Sequence, residues 1–229
     1  MACVIAASVV QFGLGMGFGL TAAPLLALID SQLVPASTLF IGFASSAWGA
    51  WGERSEIVWG EVWLAACGRA IGVVVAIGVL SLLTSRDTFT LVFGIMIAIA
   101  VLMSIAGWRI PLTRKSLLAM AILSGAMGTI TSVGAPPLAI VYQDRPSRAA
   151  RPTLAAFFAI GCAMSLAGLY ASGWAGQSDF LLALFMVPGM VVGALIASRL
   201  RDRFDRRYRP ALLAISGAAA IILIFRALL

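Results

Sequence analysis

The sequence predicts an all-α, polytopic membrane protein built from two inverted repeats, each a broken, re-entrant helix hairpin followed by three transmembrane helices. Of its 229 residues, 62% are hydrophobic and only 11% are charged, and the mean hydropathy is +1.04. Soluble domains are about half apolar and about a quarter charged, so one globular core of this size cannot bury the excess. Disorder is excluded as well, because it requires low hydrophobicity. The bilayer is the solvent that fits this composition.

Eight apolar runs, separated by short polar breaks, carry the prediction of spanning helices. They cover about residues 2–29, 37–52, 59–83, 89–107, 116–142, 152–172, 179–199 and 210–229. A helix needs about 20 residues to cross a bilayer. Long unbroken runs with many glycines favour helices over an outer-membrane-type barrel. None of the breaks is long enough to hold a second, soluble domain.

The chain repeats itself, which divides it into a first transmembrane repeat, residues 1–107, and a second, residues 108–229. Residues 22–28 (AAPLLAL) align with residues 134–140 (GAPPLAI), and Gly13 then aligns with Gly125. Further along, the order Gly, Gly, Ala recurs at Gly68, Gly72 and Ala76 and again at Gly189, Gly193 and Ala197. The Gly189–Gly193 spacing is typical of a helix-packing face.

The first run of each half is too long and too interrupted for one straight helix. About 28 residues make a helix of about 40 Å, whereas the apolar core of a bilayer is about 30 Å thick. Glycine adds conformational freedom and proline removes an N–H and clashes with the preceding turn, so both runs should be broken. The interrupting residues are Gly13, Gly15, Gly17, Gly19, Thr21 and Pro24 in the first half, and Gly125, Gly128, Thr129, Thr131, Ser132, Gly134, Pro136 and Pro137 in the second. Proline is well suited to the first turn of the second half-helix.

The distribution of basic residues distinguishes between two possible transmembrane topologies of the broken runs. The net charge is +7, from 16 Lys and Arg against 9 Asp and Glu. Eight alternating crossings would place ten basic residues on one side and five on the other, whereas two re-entrant hairpins would place thirteen against two. The positive-inside rule therefore favours the hairpins, with the basic loops in the cytoplasm.

Composition and motifs also exclude several function classes. The chain has no His, and its three Cys all lie in apolar runs without metal-ligand spacing, so we expect no metal and no cofactor. The arginines lie between apolar runs rather than along a basic stripe with aromatics, so no nucleic-acid partner is expected. No phosphate-binding loop, Ser–His pair or intramembrane carboxylate cluster is present, so the chain is not expected to be an enzyme.

The broken helices carry the strongest functional signal. The N-terminus of a half-helix inside the membrane exposes N–H groups and a positive dipole end, and these require a partner in an apolar medium. Two such ends near the midplane would form an anion site. The predicted substrate-binding residues around the breaks are Thr21, Ala22, Ala23, Pro24, Thr131, Ser132, Gly134, Ala135, Pro136 and Pro137. The alternative is that these Gly and Pro residues only permit close helix packing.

Arg69 is the one basic residue placed well inside a span, between Gly68 and the nearby Gly72. A buried charge usually faces a cavity or a partner, and a guanidinium there would hold a substrate oxyanion bidentately. Because Arg69 lies about ten residues from the start of its run, snorkelling to the interface is the other interpretation. The sequence leaves both open.

The stretch SGAMGTITSVGAPPLAIVYQDRPSRAARPTLAAFFA (residues 124–159) resembles the second-half signature of the TauE/SafE family of membrane permeases, also called sulfite exporters. Its last element, with Arg151, Thr153, Leu154, Phe157 and Phe158, fits the family's R-x-T-L-x-x-F-F-like helix start. The first half has Ala22 and Ala23 where a Gly-Gly would be usual.

The resemblance implies a secondary transporter in the bacterial cytoplasmic (inner) membrane that exports sulfite or organosulfonates. We expect alternating access, with the small anionic substrate bound at the two hairpin tips, and the lipid bilayer as the surrounding partner. With no nucleotide site, an ion gradient or the substrate's own gradient would drive it. A non-transporting scaffold or assembly protein, or a permease for another solute, is the alternative. The sequence leaves open whether the chain forms a homo-oligomer.

Overall fold

The computed structural model describes residues 1–30, 33–83, 85–200 and 208–228, and helices dominate this part of the chain. A short 3-10 helix, Arg54–Glu56, links the third and fourth α-helices. The α-helices are α1 (Ala2–Leu14), α2 (Phe18–Ile29), α3 (Ala36–Gly52), α4 (Trp59–Leu82), α5 (Arg86–Ile105), α6 (Arg114–Thr131), α7 (Ala135–Tyr142), α8 (Ser147–Ala171), α9 (Gln177–Leu200) and α10 (Tyr208–Leu228).

Four helices in the described residues are long and apolar enough to cross a membrane. They are Trp59–Leu82, Asp87–Ile105, Ser147–Ala171 and Gln177–Arg199, with mean hydropathies of 1.9 to 2.5. Helices α1 and α2 are apolar but too short to span on their own. Large apolar side chains such as Val74, Leu102 and Phe185 are exposed, as lipid-facing side chains would be. The predicted class, an all-α polytopic membrane protein, is confirmed.

Each interrupted run is a pair of helices that fold back on one another. In the first, the Cys3 Sγ lies 3.9 Å from the Ala22 carbonyl oxygen, so α2 returns alongside α1. In the second, the Gln143 side-chain amide donates to the Trp108 carbonyl at 3.0 Å. Residues 108 and 143 therefore lie at the same end of the molecule, on either side of the α6–α7 pair. Both runs are hairpins, as the charge pattern predicts.

Three ion pairs exclude eight alternating crossings. They join the α3–α4 connection to the start of α8, through Arg151 with Glu53, Arg148 with Glu56, and Arg145 with Glu61. Alternation would place these two segments on opposite faces of the membrane. The ion pairs instead place them at one end of the molecule, which we call the ion-pair end. The basic run from Arg199 to Arg209 cannot be located with them, since residues 201–207 lie outside the described part.

Close packing between the halves uses the glycines that the repeat singles out. A Cβ on Gly72 of α4 would overlap the Ile122 carbonyl of α6, and a Cβ on Gly193 of α9 would approach Ser8 and the Ile5 carbonyl of α1. The Gly189–Gly193 pair is thus a packing face, as predicted. Helix α3 packs against α8, and α5 packs against α10.

The first break falls among the predicted interrupting glycines, but Pro24 does not begin the second half-helix. It spans residues 15–17, and Pro24 lies inside α2 rather than in its first turn. Gly15 and Gly17 have φ of +75° and +108°, a left-handed conformation that glycine adopts without steric cost. Ala22 and Ala23 offer no such freedom, so the chain turns at the glycines that precede them.

The second break falls where it was predicted. Helix α6 ends at Thr131, Ser132 takes φ of +62°, and Gly134 caps the start of α7. Pro136 and Pro137 occupy the first turn of α7, where their missing N–H groups remove donors that would have no intrahelical acceptor. The Gly134 and Ala135 amides remain at this end.

Candidate anion-binding site

The two breaks meet in the interior of the protein. Gly19, in the first turn of α2, lies so close to the Ser132 carbonyl that a Cβ at this position would overlap it. Beside this contact is an inner cavity of about 30 Å³. Its lining comes from both breaks and from α1, α3, α4 and α8: Gln11, Gly17, Phe18, Gly19, Leu20, Thr38, Leu39, Gly42, Ser46, Arg69, Ser132, Gly134, Ala135, Phe158 and Cys162.

Arg69 reaches this cavity from α4 and is only 1% exposed. Its Nη1 donates to the Ser124 Oγ at 3.2 Å and to the Ser124 carbonyl at 3.4 Å, while Nη2 donates to the Ser165 Oγ at 3.2 Å. The guanidinium is therefore held in the centre of the protein by α6 and α8. The snorkelling interpretation is wrong for this arginine.

Glycines make the space in which the Arg69 side chain lies. A Cβ on Gly161 would overlap Nε, and a Cβ on Gly128 or Gly134 would lie about 3 Å from the terminal nitrogens. Gly125 allows the backbone of α6 to approach the Arg69 carbonyl. These glycines come from α6, the second break and α8, so three elements are shaped around one side chain.

Hydroxyl groups fix the orientation of the guanidinium. The Ser165 Oγ lies 2.8 Å from the Thr129 Oγ1, which donates to the Gly125 carbonyl at 2.8 Å. The Ser124 Oγ donates to the Gly134 carbonyl at 2.6 Å, which ties the arginine to the second break. A buried polar network with its members bonded in this way is rigid.

No carboxylate neutralises Arg69 in the described part of the chain, since each described ion pair joins other residues. Its Nε has no hydrogen-bond partner. The guanidinium carbon lies 5.5 Å from the ring centroid of Phe157 and 6.0 Å from that of Phe158, which offer only the partial negative charge of aromatic faces. A buried cation without a counter-ion is costly, and a bound anion would offset that cost.

Gln11 completes the polar wall on the side of the first break. Its Oε1 accepts from the Phe18 N–H at 3.1 Å, so it caps the first amide of α2. Its Nε2 donates to the Ser46 Oγ at 2.9 Å and to the Gly15 carbonyl at 3.4 Å. The amides of Gly19 and Leu20 lie in the same first turn, where a helix offers no intrahelical acceptor.

Four of the residues predicted to bind substrate line the inner cavity: Arg69, Ser132, Gly134 and Ala135. The Ser132 Oγ lies 2.6 Å from the Thr38 Oγ1 and donates to the Pro35 carbonyl at 2.8 Å. The other predicted residues, Thr21, Ala22, Ala23, Pro24, Thr131, Pro136 and Pro137, are buried beside the breaks but are not part of the lining.

The hydroxyls of Thr21 and Thr131 already bond the backbone. Thr21 donates to the Gly17 carbonyl at 3.0 Å, and Thr131 donates to the Met127 carbonyl at 2.7 Å. The Thr131 Oγ1 also accepts from the Val133 N–H at 3.1 Å, which caps the second break. Both threonines stabilise the turns, so the expectation that they point donors at a ligand is wrong for this conformation.

Sequence reasoning did not single out Ser46, Thr38, Ser124 and Ser165. Each lies in an apolar run at a place where single hydroxyls are common in membrane helices. The signal available in the sequence was the position of Ser124, which directly precedes Gly125 of the broken run. Only the three-dimensional structure shows that α6 and α8 bring the hydroxyls of Ser124 and Ser165 to one arginine.

Fold and site together define a class: a polytopic α-helical membrane protein with two re-entrant hairpins whose tips meet beside a buried cation. The family model for the sulfite exporter TauE/SafE matches residues 1–223. The chain belongs to the TauE/SafE family, whose members are membrane transporters rather than enzymes. No curated protein and no solved structure matches it.

Proposed function

We propose that this protein is a secondary transporter of a small anion, sulfite or an organosulfonate, that binds between the hairpin tips beside Arg69. The observation that carries the proposal is a fully buried guanidinium that has no carboxylate partner in the described residues and lines a cavity at the meeting point of two helix breaks. A structural arginine would be expected to have a counter-ion, because an unpaired charge in an apolar interior is costly.

The other groups at the cavity suit an oxyanion. The Ala135 and Gly19 amides lie in the first turns of α7 and α2, so the positive dipole ends of both helices lie at the cavity. A guanidinium offers two parallel N–H groups to the oxygens of a sulfite or sulfonate. A cationic substrate would be repelled, and a neutral one would leave the charge uncompensated.

The size of the inner cavity supports alternating access. At about 30 Å³ it has room for about two water molecules, so the tips must separate to admit a sulfur oxyanion. Gly19 and Ser132 are in direct contact, which makes the hairpin tips the moving boundary. We propose that the halves 1–107 and 108–229 are inverted repeats and that rocking of the hairpins against the other spans exposes the site to each face in turn.

Orientation and direction complete the proposal. With the ion-pair end in the cytoplasm of a bacterial cell, as the positive-inside rule favours, the protein would export its anion across the inner membrane. An ion gradient or the gradient of the substrate supplies the driving force.

The test is anion flux in liposomes containing the purified protein. Sulfite and sulfoacetate efflux would be compared between the wild type, Arg69→Gln, and the matched control Arg148→Gln, whose side chain is 83% exposed. We expect Arg69→Gln to reduce flux at least tenfold and the control to leave it unchanged. Equal flux in all three would refute the role of Arg69.

Binding is measured separately, so that a scaffold can be recognised. Sulfite and sulfoacetate should raise the thermal unfolding temperature of the wild type but not that of Arg69→Gln, since a ligand that binds only the folded state stabilises it. A wild type that no anion stabilises and that carries no flux would support the scaffold alternative instead.

A further inference from the structure

We propose that the anion reaches the inner cavity from the ion-pair end, through a second and larger cavity, and that the Gln11 side chain is the gate between the two. This inference rests on the proposed function in that the inner cavity is taken as the substrate site. It adds the route and the residue that controls it.

The second cavity, which we call the vestibule, lies between α1, α3, α8 and α9 and has a volume of about 280 Å³. It is nearly tenfold larger than the inner cavity. Glu53 and Arg151, an ion pair of the ion-pair end, form part of its wall. The rest of the lining includes both small residues and large apolar side chains: Gly49, Gly52, Ala155, Phe12, Trp48 and Leu195. The vestibule therefore leads inwards from the end of the molecule where these charges lie.

Gln11 lines both cavities, and no other described residue does. On its α3 side, neighbouring residues divide between the two, with Ser45 in the vestibule and Ser46 in the inner cavity. In the first break, Gly15 lines the vestibule and Gly17 lines the inner cavity. The Gln11 side-chain amide lies between α3 and the first break. It bonds Ser46 of α3 on one side, and the Gly15 carbonyl and the Phe18 N–H on the other. Gln11 is buried, with a residue exposure of 4%, and lies between the two cavities in this conformation.

An uncharged amide suits such a gate. Its closed position is held by ordinary hydrogen bonds, which exchange readily with an incoming oxyanion or water. Its Nε2 donors favour the passage of an anion, whereas a cationic side chain at this position would bind the anion and hold it there. The repeat alignment that pairs Gly13 with Gly125 pairs Gln11 with Leu123, so the second half offers no equivalent amide. The gate therefore controls access to the inner cavity from one face of the membrane only.

Cys162 is a natural reporter of the inner cavity, because it lines that cavity and is buried. The measurement uses the full chain with Cys3→Ser and Cys67→Ser, so that Cys162 is the remaining thiol. Sealed membrane vesicles of both orientations are treated with the small, membrane-impermeant anion methanethiosulfonate ethylsulfonate, and the rate of Cys162 modification is followed by mass spectrometry.

We expect Gln11→Ala to raise the modification rate about tenfold, and only when the reagent is on the ion-pair side. The matched control Ser45→Ala removes a polar group of the vestibule and leaves the gate in place, so its rate should equal that of the wild type. Adding Gly49→Phe to Gln11→Ala should return the rate towards the wild-type value by filling the vestibule. The control for that bulk is Gly78→Phe, since a Cβ at Gly78 meets nothing within 4 Å.

Two results would overturn the gate. One is an unchanged rate in a Gln11→Ala protein that elutes as a single folded species; the other is a Gln11→Ala protein whose modification rate rises equally from both faces. If Gln11→Ala fails to fold, Gly49→Phe alone still decides, because it should slow Cys162 modification from the ion-pair side while Gly78→Phe should not. Thiol modification needs neither substrate nor transport, so this inference fails or stands separately from the proposed function.

Discussion

Gly19 in the first turn of α2 lies directly against the backbone carbonyl of Ser132 at the end of α6. This contact joins the two halves of the chain at their interrupted helices. It holds Ser132 and Gly134 beside the inner cavity and sets how closely the tips approach in the closed conformation. A glycine is required here for proximity rather than for an unusual φ.

Gly19→Ala should destabilise the protein. In a helix, alanine is favoured over glycine by about 0.5–1 kcal/mol, but here the added Cβ overlaps a carbonyl, and overpacking typically costs about 1–3 kcal/mol. The clash should win. Thermal unfolding in detergent measures it, with Gly78→Ala as the control, since that position is open. A Gly19→Ala protein at least as stable as the control would contradict the contact.

Arg69→Met should separate stability from function. Because the charge is buried without a carboxylate partner in the described residues, an apolar chain of similar length is expected to leave stability unchanged or raise it by about 1–4 kcal/mol. Anion binding should nevertheless be lost, since the cation is gone. The unfolding temperature is measured with and without sulfite. A decrease of several kcal/mol in the free energy of unfolding of the variant would show that the arginine is structural.

Pro24 and Ser216 should be energetically coupled. Pro24 has no N–H, so the Leu20 carbonyl one turn earlier lacks its helical donor, and the Ser216 Oγ of α10 donates to it at 2.6 Å. Ser216→Ala should cost about 1–3 kcal/mol by leaving a buried acceptor unpaired. Its cost should shrink in a Pro24→Ala background, where the residue 24 amide takes over. Additive effects in this double-mutant cycle would refute the coupling.

The ion pairs should differ in their contribution to stability according to their exposure. Both side chains of Arg151–Glu53 are 23% exposed, whereas those of Arg148–Glu56 are 83% and 39% exposed. Glu53→Gln should therefore lower the unfolding temperature clearly, and Glu56→Gln should change stability by less than about 1 kcal/mol. Raising the salt concentration should affect the exposed pair more. The reverse order of the two variants would mean that burial does not set their strength.

Cysteine labelling should place the two ends of the molecule on opposite faces. Ser116, at the start of α6, lies at the ion-pair end, and Ser178 lies beyond α8 at the other end. In a cysteine-free background, a Cys at 116 should react from the cytoplasm and a Cys at 178 from outside. Labelling of both from the same face would refute the topology, and labelling with the faces exchanged would refute the orientation.

The sequence by itself determined the class of protein and the hairpins. A composition this apolar leaves only the bilayer as solvent, and the distribution of Arg54, Arg109 and the arginines at 145–151 favours a return of both broken runs to the side from which they start. Glycine and proline also predicted that each run is interrupted. These features are local or additive along the chain, so no tertiary information is needed to read them.

Only the tertiary structure decided what each residue near the breaks does. The alignment of Pro24 with Pro136 predicted that Pro24 begins the second half-helix, but the chain turns earlier, at Gly15–Gly17, because glycine takes a positive φ there at no steric cost. Arg69 had two open interpretations in the sequence. Its neighbours Ser124 and Ser165 decide between them, and they come from helices far along the chain. Which side chains surround a buried charge depends on helix packing, and helix packing is set by the whole fold.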